Sequence, residues 1–135
     1  MSGGAGSGAQ LRARREALGV TGAALVRMTD WKQPRIVEAE AGRRPIPPRV
    51  TALLDELETS AAILRATAVQ VATQVWQEAS TPPILLTYRS DTDLWADQPE
   101  MDGVPAAVHR VAMAHARADL AAADIPASVH YKPTT

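Results

Sequence analysis

The chain of 135 residues contains no cysteine, so neither a disulfide framework nor a thiolate metal site can form. It also lacks a long hydrophobic run, since the longest stretch of Ile, Leu and Val is Ile84-Leu85-Leu86, far shorter than a membrane-spanning helix. The first ten residues, MSGGAGSGAQ, show neither an apolar core nor a cleavage-site pattern. We therefore expect a soluble cytoplasmic protein whose Gly/Ser-rich residues 1–8 form a disordered tail.

The sequence patterns of catalytic and metal sites are missing as well. There is no GxSxG, P-loop or GxGxxG motif. His109 and His115 are six residues apart, which places them on different faces of a helix, and His130 stands alone. Three aspartates fit helix caps or solvated positions better than an acid–base pair: Asp91, Asp93 and Asp97. The sequence predicts no enzyme activity, no cofactor and no metal, and it is compatible with a ligand pocket in the C-terminal half.

Positive and negative charges nearly balance, since the formal net charge is −1. A contact with nucleic acid must therefore come from local clustering of cations. Such clustering is present, since most acids lie from Asp55 onwards while nine cations precede residue 50. These nine are Arg12, Arg14, Arg15, Arg27, Lys32, Arg35, Arg43, Arg44 and Arg49. The N-terminal part carries the electrostatic footprint of a nucleic-acid-binding region.

Residues 11–44 have the spacing of several short helices. Apolar residues recur at helical intervals, while the polar side chains between Lys32 and Glu38 lie off that pattern and face outward. The apolar positions are Leu11, Leu18, Leu25, Met28 and Ile36. Thr21 can cap the second helix, and because proline is tolerated in a first turn, Pro34 predicts that the third helix begins near Lys32 or Gln33. This layout is typical of a helix-turn-helix DNA reader.

Three local matches carry a resemblance. Gly19-Val20-Thr21 is similar to a Gly-Leu-Ser before the second helix, Ile36 takes the aliphatic core position of the reading helix, and Glu40-Ala41-Gly42-Arg43 is similar to a Glu-Asn-Gly-Lys in which glycine stops that helix. Over residues 9–58 the chain thus resembles the Cro/repressor-type helix-turn-helix family, also called the xenobiotic-response-element class. It departs from that family at Gly22, where many relatives carry Gln, and at Thr29-Asp30, which replaces Leu-Gly in the turn.

The resemblance implies roles for individual residues. The base-reading candidates are Gln33, Arg35 and Glu38, which suit adenine, guanine and cytosine respectively. The phosphate-contacting candidates are Thr21, Lys32, Arg43 and Arg44. Arg15 and Glu40 take the positions of a buried ion pair that locks the first helix onto the third. The alternatives are that Arg35 and Arg43 are ordinary solvated arginines, and that the Glu38 carboxylate repels phosphate.

The second half predicts further helices and short strands. Residues 49–79 contain no Gly or Pro and predict a helix that either continues through Thr59-Ser60 or breaks there. Its apolar residues recur at heptad spacing: Val50, Leu54, Leu57, Ala61, Leu64, Ala68, Val71 and Val75. This seam packs either on the chain's own helices or on a second subunit. A strand over 84–88, a short helix up to Asp97, a last helix up to about Ala123 and a candidate strand over 125–131 follow.

The stretch Leu94-Trp95-Ala96-Asp97-Gln98-Pro99 is similar to a Tyr-Leu-Ala-Asp-Asn-Pro segment, and the order of elements around it resembles the small repressors encoded beside anti-CRISPR genes. In that group the C-terminal part joins two subunits and the protein represses its own operon. The resemblance and the apolar patterns together make a set of residues candidates for dimer contacts: Leu64, Val71, Val75, Val108, Val111 and Leu120.

The sequence therefore predicts a mainly α protein with a four- or five-helix helix-turn-helix domain at 9–59 and a small α(+β) dimerisation region at 60–135. The favoured function is an autoregulatory transcriptional repressor that binds an inverted-repeat operator in double-stranded DNA as a homodimer. One alternative is the antitoxin of a toxin–antitoxin pair, whose C-terminal half would bind a small toxin. A second alternative is an interaction protein that has lost DNA binding.

Overall fold

A computed structural model of the chain describes residues 4–133, with only the backbone described for residues 4–7. The chain divides into two compact units with the boundary between Glu58 and Thr59. Helices α1 (Gly4–Ala17), α2 (Gly22–Thr29) and α3 (Gln33–Glu40) belong to the first unit, together with the beginning of α4 (Pro48–Ala79). The second unit contains the rest of α4, strand β1 (Ile84–Thr87), α5 (Asp91–Asp97), a 3-10 turn (Pro99–Met101), α6 (Ala106–Ala122) and β2 (Ser128–Tyr131). The fold is mainly α, as the sequence predicts.

Helix α1 begins inside the segment for which the sequence predicts a disordered tail, so residues 4–8 differ from that expectation. Gly8 is buried, and a Cβ atom on it would lie 2.6 Å from the carbonyl oxygen of Ala39. The glycine therefore allows α1 to approach the end of α3 closely, a packing role that Gly/Ser composition does not reveal. Residues 1–3 of the predicted tail lie outside the described residues.

The ends of α2 and α3 follow from local side-chain chemistry. Thr21 caps α2, because its hydroxyl oxygen accepts a hydrogen bond from the backbone N–H of Ala24 at 3.0 Å. Asp30 ends α2 with a left-handed φ of 62°, a conformation that Asp tolerates better than most residues. Helix α3 begins at Gln33, and Gly42 follows its end with a φ of 79°. The predicted cap, helix start and left-handed stop are thereby confirmed.

The core of the first unit is aliphatic. Helices α1 and α2 both contact α3, and the buried side chains of this unit include Leu11, Leu18, Leu25, Ile36, Val50 and Leu54. Of the apolar positions predicted from helical spacing, Met28 is only half-buried. Burial of large aliphatic side chains is the main free-energy source that holds such short helices together.

Helix α4 is continuous through Thr59-Ser60, which decides between the two alternatives that the sequence leaves open. Within the second unit, Ala72 of α4 is buried and Leu64 packs partly against the core, whereas Val71 and Val75 are exposed to 55% and 39%. The heptad seam is thus only partly covered by the chain itself. No helix within residues 4–133 is long and apolar enough to span a membrane.

In the second unit, β1 pairs in parallel with β2, with Ile84 opposite Ser128 and Thr87 opposite Tyr131. A parallel pair requires a long crossover connection, and α5, the 3-10 turn and α6 provide it. The candidate final strand is therefore confirmed for residues 128–131. Ser90 caps α5 by accepting a hydrogen bond from the backbone N–H of Asp93 at 3.1 Å, as expected for a helix that begins after serine.

Two predicted dimer contacts are buried within the chain itself. Val108 and Leu120 are exposed to 0% and 1%, and Leu120 packs with Leu85 and Ile125. Both side chains are covered by their own chain, so the structure removes them from the predicted contact with a second subunit. A helical apolar pattern identifies a buried face but does not show which chain buries it. Val111, the other candidate on α6, is half-buried.

A polar network accompanies this core. The Thr87 hydroxyl and His109 Nδ1 form a buried hydrogen bond of 2.8 Å, and burial lowers the pKa of His109 below its ordinary value. The Tyr88 hydroxyl donates to the Asp97 carboxylate, which also binds Lys132 Nζ at 2.6 Å. Burial, followed by the bond to Asp97, raises the pKa of Tyr88. These bonds fix the segments that flank the strand pair.

Candidate nucleic-acid interface

Helix α3 has one buried edge and one broad exposed face. Ile36 and Ala39 are exposed to only 1% each and anchor the helix on the first unit. Successive residues of an α-helix are rotated by about 100°, so Val37 and Glu38 lie near the middle of the opposite face, with Gln33 and Arg35 at its two borders. All four side chains are exposed or half-buried. The helix thus presents a row of varied side chains on a fixed support.

The Gln33 side chain lies over the first turn of α2. A Cβ atom on Gly22 would be 2.8 Å from Gln33 Nε2, closer than real Cβ contacts allow, so the amide occupies space that any other residue at position 22 would fill. Many members of the family that residues 9–58 resemble carry Gln at the position of Gly22. In this chain Gly22 has no side chain, which leaves room for the Gln33 side chain of α3.

Glu38 is paired within the first unit. Its Oε1 accepts a hydrogen bond from Arg44 Nε at 2.9 Å, and its carbonyl oxygen accepts one from the backbone N–H of Arg43 at 2.8 Å. These bonds hold the basic loop after α3 against the helix. The arginine also compensates the carboxylate charge, which reduces the repulsion that an isolated glutamate would exert on a phosphate.

Arg15 and Glu40 form a two-bonded ion pair between α1 and α3. Arg15 Nε donates to Glu40 Oε2 at 2.7 Å and Arg15 Nη2 donates to Oε1 at 3.0 Å. Both side chains are only 12% exposed, and Arg15 also donates to the carbonyl oxygen of Val20 at 2.9 Å. The bond to Glu40 raises the pKa of Arg15. This geometry fixes the orientation of α3 on the first unit.

The cations of the first unit fall into two groups. Arg14 donates to Glu58 at 2.7 and 2.9 Å and to Asp55 at 2.6 Å, which raises its pKa. Arg12, Arg15, Arg44 and Arg49 also have carboxylate partners. Among the described residues no ion pair involves the exposed side chains of the second group, which are Arg27, Lys32, Arg35 and Arg43. Their charges are the ones most readily available to an external anion.

The remaining predicted site residue, Thr21, is exposed at the start of α2. Its oxygen accepts the bond from Ala24, and its hydroxyl hydrogen remains a donor that can serve another group. The start of α2 thus carries Thr21, and the start of α3 carries Lys32 and Gln33. Trp31, in that turn, is half-buried, with its backbone N–H donating to Thr29 Oγ1 at 3.3 Å.

The sequence did not identify two exposed residues of the candidate interface, one on α3 and one on α2. Val37 is exposed to 51% although it is aliphatic and lies in a helix. Its spacing of four residues from Gln33 could have identified it, because that spacing places both on one side of α3. Arg27, in the last turn of α2, is exposed. The sequence shows this arginine but not that, among the described residues, no carboxylate forms an ion pair with it.

Residues 8–74 match the model of a family described as a helix-turn-helix domain. The match covers α1 to α3 apart from the first residues of α1, and it extends into α4. It supports a DNA-binding helix-turn-helix module in this part of the chain and does not distinguish the Cro/repressor class from others. A search of curated proteins found no match.

Proposed function

We propose, from the premise that residues 8–74 carry a helix-turn-helix DNA-binding domain, that the protein is a sequence-specific transcriptional repressor that binds an inverted-repeat operator as a homodimer. The observation that carries this proposal is the exposed face of α3, with Val37 and Glu38 at its centre, anchored by Ile36 and locked by the Arg15–Glu40 pair. A reading helix must be rigid for its side chains to discriminate between bases.

On this proposal the face of α3 enters the major groove. Gln33 pairs with adenine and Arg35 with guanine, each by two hydrogen bonds. Val37 adds an apolar contact to a thymine methyl group, which suits an aliphatic side chain that is 51% exposed. Glu38 either accepts a hydrogen bond from cytosine N4 or keeps its bond to Arg44 and orients that arginine.

The phosphate contacts flank this face. Lys32 precedes α3, and Arg43 and Arg44 follow it, so they suit the backbone on either side of the groove. Thr21 contributes a hydroxyl at the start of α2. Arg27 joins this set because its exposed guanidinium has no ion-pair partner among the described residues. Such contacts provide affinity that decreases with salt concentration.

The dimer is proposed to form through the second unit. Its supporting observation is exposed aliphatic surface on α4, where Ile63, Val71 and Val75 are exposed to 61%, 55% and 39%. The half-buried Leu64 lies on the same side as Val71, one heptad earlier. Two copies related by a twofold axis would read two half-sites and thereby gain the specificity that one domain lacks.

Selection of bound duplexes from a random pool, followed by footprinting, tests the proposal. We expect the selected sequences to form an inverted repeat with half-site centres about 10 base pairs apart or a small multiple of that distance. The matched control is the Val37→Asp variant, which places a carboxylate at the centre of the exposed face without touching the core. The selection should fail for this variant. Failure to enrich any sequence with the unmodified protein would contradict the proposal.

A further inference from the structure

The second unit contains a cavity of about 510 Å³ lined by Thr87, Arg89, Arg110, Val129, His130 and Tyr131. It lies where both parallel strands end, since Thr87 is the last residue of β1 and Tyr131 the last of β2. The carboxyl ends of parallel strands are a common position for small-molecule sites in α/β folds, and the volume is within the range of such sites. The helix-turn-helix does not account for this cavity.

Two arginines are held at this cavity by uncharged groups. Arg110 Nη1 donates to the carbonyl oxygens of Tyr88 at 2.8 Å and Arg89 at 3.1 Å. The Arg89 guanidinium lies over the Tyr131 ring, 4.2 Å from its centre. A guanidinium stacked on a ring, or bound through one nitrogen, keeps further N–H donors in its plane. Both arginines are thus positioned while donors remain for another group.

No acidic residue in the described part of the chain pairs with these two arginines. Neither arginine forms an ion pair with any described carboxylate, and none of the described residues that line the cavity is acidic. Elsewhere in the same unit, Arg65 and Lys132 are bound by Asp119 and Asp97 at 2.6 Å. Two positioned arginines that have no described carboxylate partner, beside an open volume, favour the binding of an anion.

We infer that this cavity is a binding site for a small anionic molecule, with Arg89 and Arg110 binding its phosphate or carboxylate group. The imidazole of His130 supplies a further polar contact. Val129 and the ring of Tyr131 supply apolar surface for the rest of the ligand, which favours a molecule that carries an apolar or planar part next to its charge. All residues of this site belong to the second unit, whereas the residues of the proposed DNA-reading face belong to the first.

The test is titration of the isotope-labelled full chain with inorganic phosphate and, separately, with benzoate, followed by amide and arginine side-chain signals in NMR spectra. Sodium chloride at matched ionic strength is the reference. We expect saturable shifts of Arg89 and His130 signals with at least one probe. Phosphate alone would assign the phosphate class, and benzoate alone a carboxylate with an apolar part.

The variant is Arg89→Gln, because the contact of this side chain with the Tyr131 ring is not required to hold the strands together. Its amide spectrum shows directly whether the unit is folded. We expect it to weaken probe binding by about tenfold, the loss of one charge-assisted hydrogen bond. Arg117→Gln, an exposed arginine two turns further along α6 and outside the cavity lining, should leave the affinity unchanged.

Three results would overturn the inference. The first is the absence of saturable shifts with either probe. The second is an equal loss of affinity in Arg89→Gln and Arg117→Gln, which indicates unspecific attraction. The third is that a DNA duplex shifts the same signals and Arg89→Gln lowers DNA affinity, which would make the two arginines part of a DNA backbone contact.

Discussion

The ion pair between Arg15 and Glu40 holds the proposed reading helix, α3, in place. Each is 12% exposed, and two hydrogen bonds of 2.7 and 3.0 Å join them. Removing one partner leaves the other charge largely buried without compensation, which is costly. The pair therefore has a structural role, and its effect on DNA binding is expected to act through the placement of α3.

We expect Arg15→Ala to lower the free energy of unfolding by about 3 kcal/mol. Arg12→Ala is the matched control, because the Arg12–Glu16 pair has side chains that are 64% and 54% exposed and should contribute less than about 1 kcal/mol. Urea denaturation followed by circular dichroism measures both. Equal stability losses in the two variants would show that the Arg15–Glu40 pair does not lock the domain.

His109 makes the stability of the second unit depend on pH. Burial lowers its folded-state pKa below the ordinary value of 6.5, so the unfolded chain binds the proton more readily than the folded one. The contribution of neutral, buried His109 to stability is therefore fully present above the pKa that this group has in the unfolded chain. It is lost as the pH falls from there towards the lower pKa of the folded state. The bond of Nδ1 to the Thr87 hydroxyl is buried with the ring.

Denaturation curves from pH 8 to pH 5 should show this loss below about pH 6.5. The His109→Asn variant keeps a polar group near Thr87 but cannot titrate, so the loss should be smaller in that variant. His115→Asn is the control, since His115 is exposed on the same helix. A pH dependence unchanged by His109→Asn would contradict the assignment of this effect to His109.

At the scale of elements, the sequence predicts the limits of α3 better than it predicts those of α1. Pro34 and Gly42 fix the limits of α3, because proline suits a first turn and glycine suits the left-handed stop. The start of α1 could not be predicted in this way. Gly8 has its role through the close approach of Ala39, a contact between residues far apart in the sequence.

In the candidate site, too, some features could be predicted from the local sequence and others could not. Local rules identify which side chains α3 can expose, but they do not reveal that Glu38 binds Arg44 or that the Gln33 amide lies over Gly22. Likewise, heptad spacing identifies Val71 on α4 and the apolar pattern of the last helix identifies Leu120 on α6, but only the packed structure shows that the first is exposed and the second buried. Partners that lie in different elements depend on tertiary packing.

The proposed phosphate contacts of the loop after α3 can be tested by substituting Arg43. Arg43→Ala should weaken binding to all sequences about equally and reduce the slope of log affinity against log salt by roughly one unit. The reason is that Arg43 is exposed, follows α3 and forms no ion pair with described residues. Arg117→Ala makes the same charge change in the second unit and should leave the slope unchanged. An unaltered slope in Arg43→Ala would show that this side chain does not contact the backbone.

At the scale of the whole molecule, the proposed dimer can be tested on the full chain. Light scattering coupled to gel filtration should give twice the 14.4 kDa chain mass. Val71→Asp places a charge on exposed aliphatic surface of α4 and should raise the concentration for half-dissociation by about tenfold or more. Ala66→Asp, also exposed on α4 but on another side of the helix, is the control.

A strictly monomeric full chain at all concentrations would contradict the proposed dimer. If Ala66→Asp and Val71→Asp dissociate the dimer equally, the effect of the introduced charge is not specific to the Val71 side of α4, which would contradict the proposed contact surface. A small basic protein that co-purifies with the chain and covers this surface would favour the antitoxin alternative, because an antitoxin binds its toxin through the half that is not engaged with DNA.

The central claim is that the exposed face of α3 reads bases, and its most direct test compares binding to every single-base variant of the selected operator. The unmodified protein is measured beside Gln33→Ala and Arg35→Ala, with circular dichroism to verify folding. Each substitution should cost about 1–3 kcal/mol and relax the preference at only one or two positions of each half-site. A uniform loss across all operator variants would contradict the claim, since it would mean that these side chains position the helix without reading the sequence.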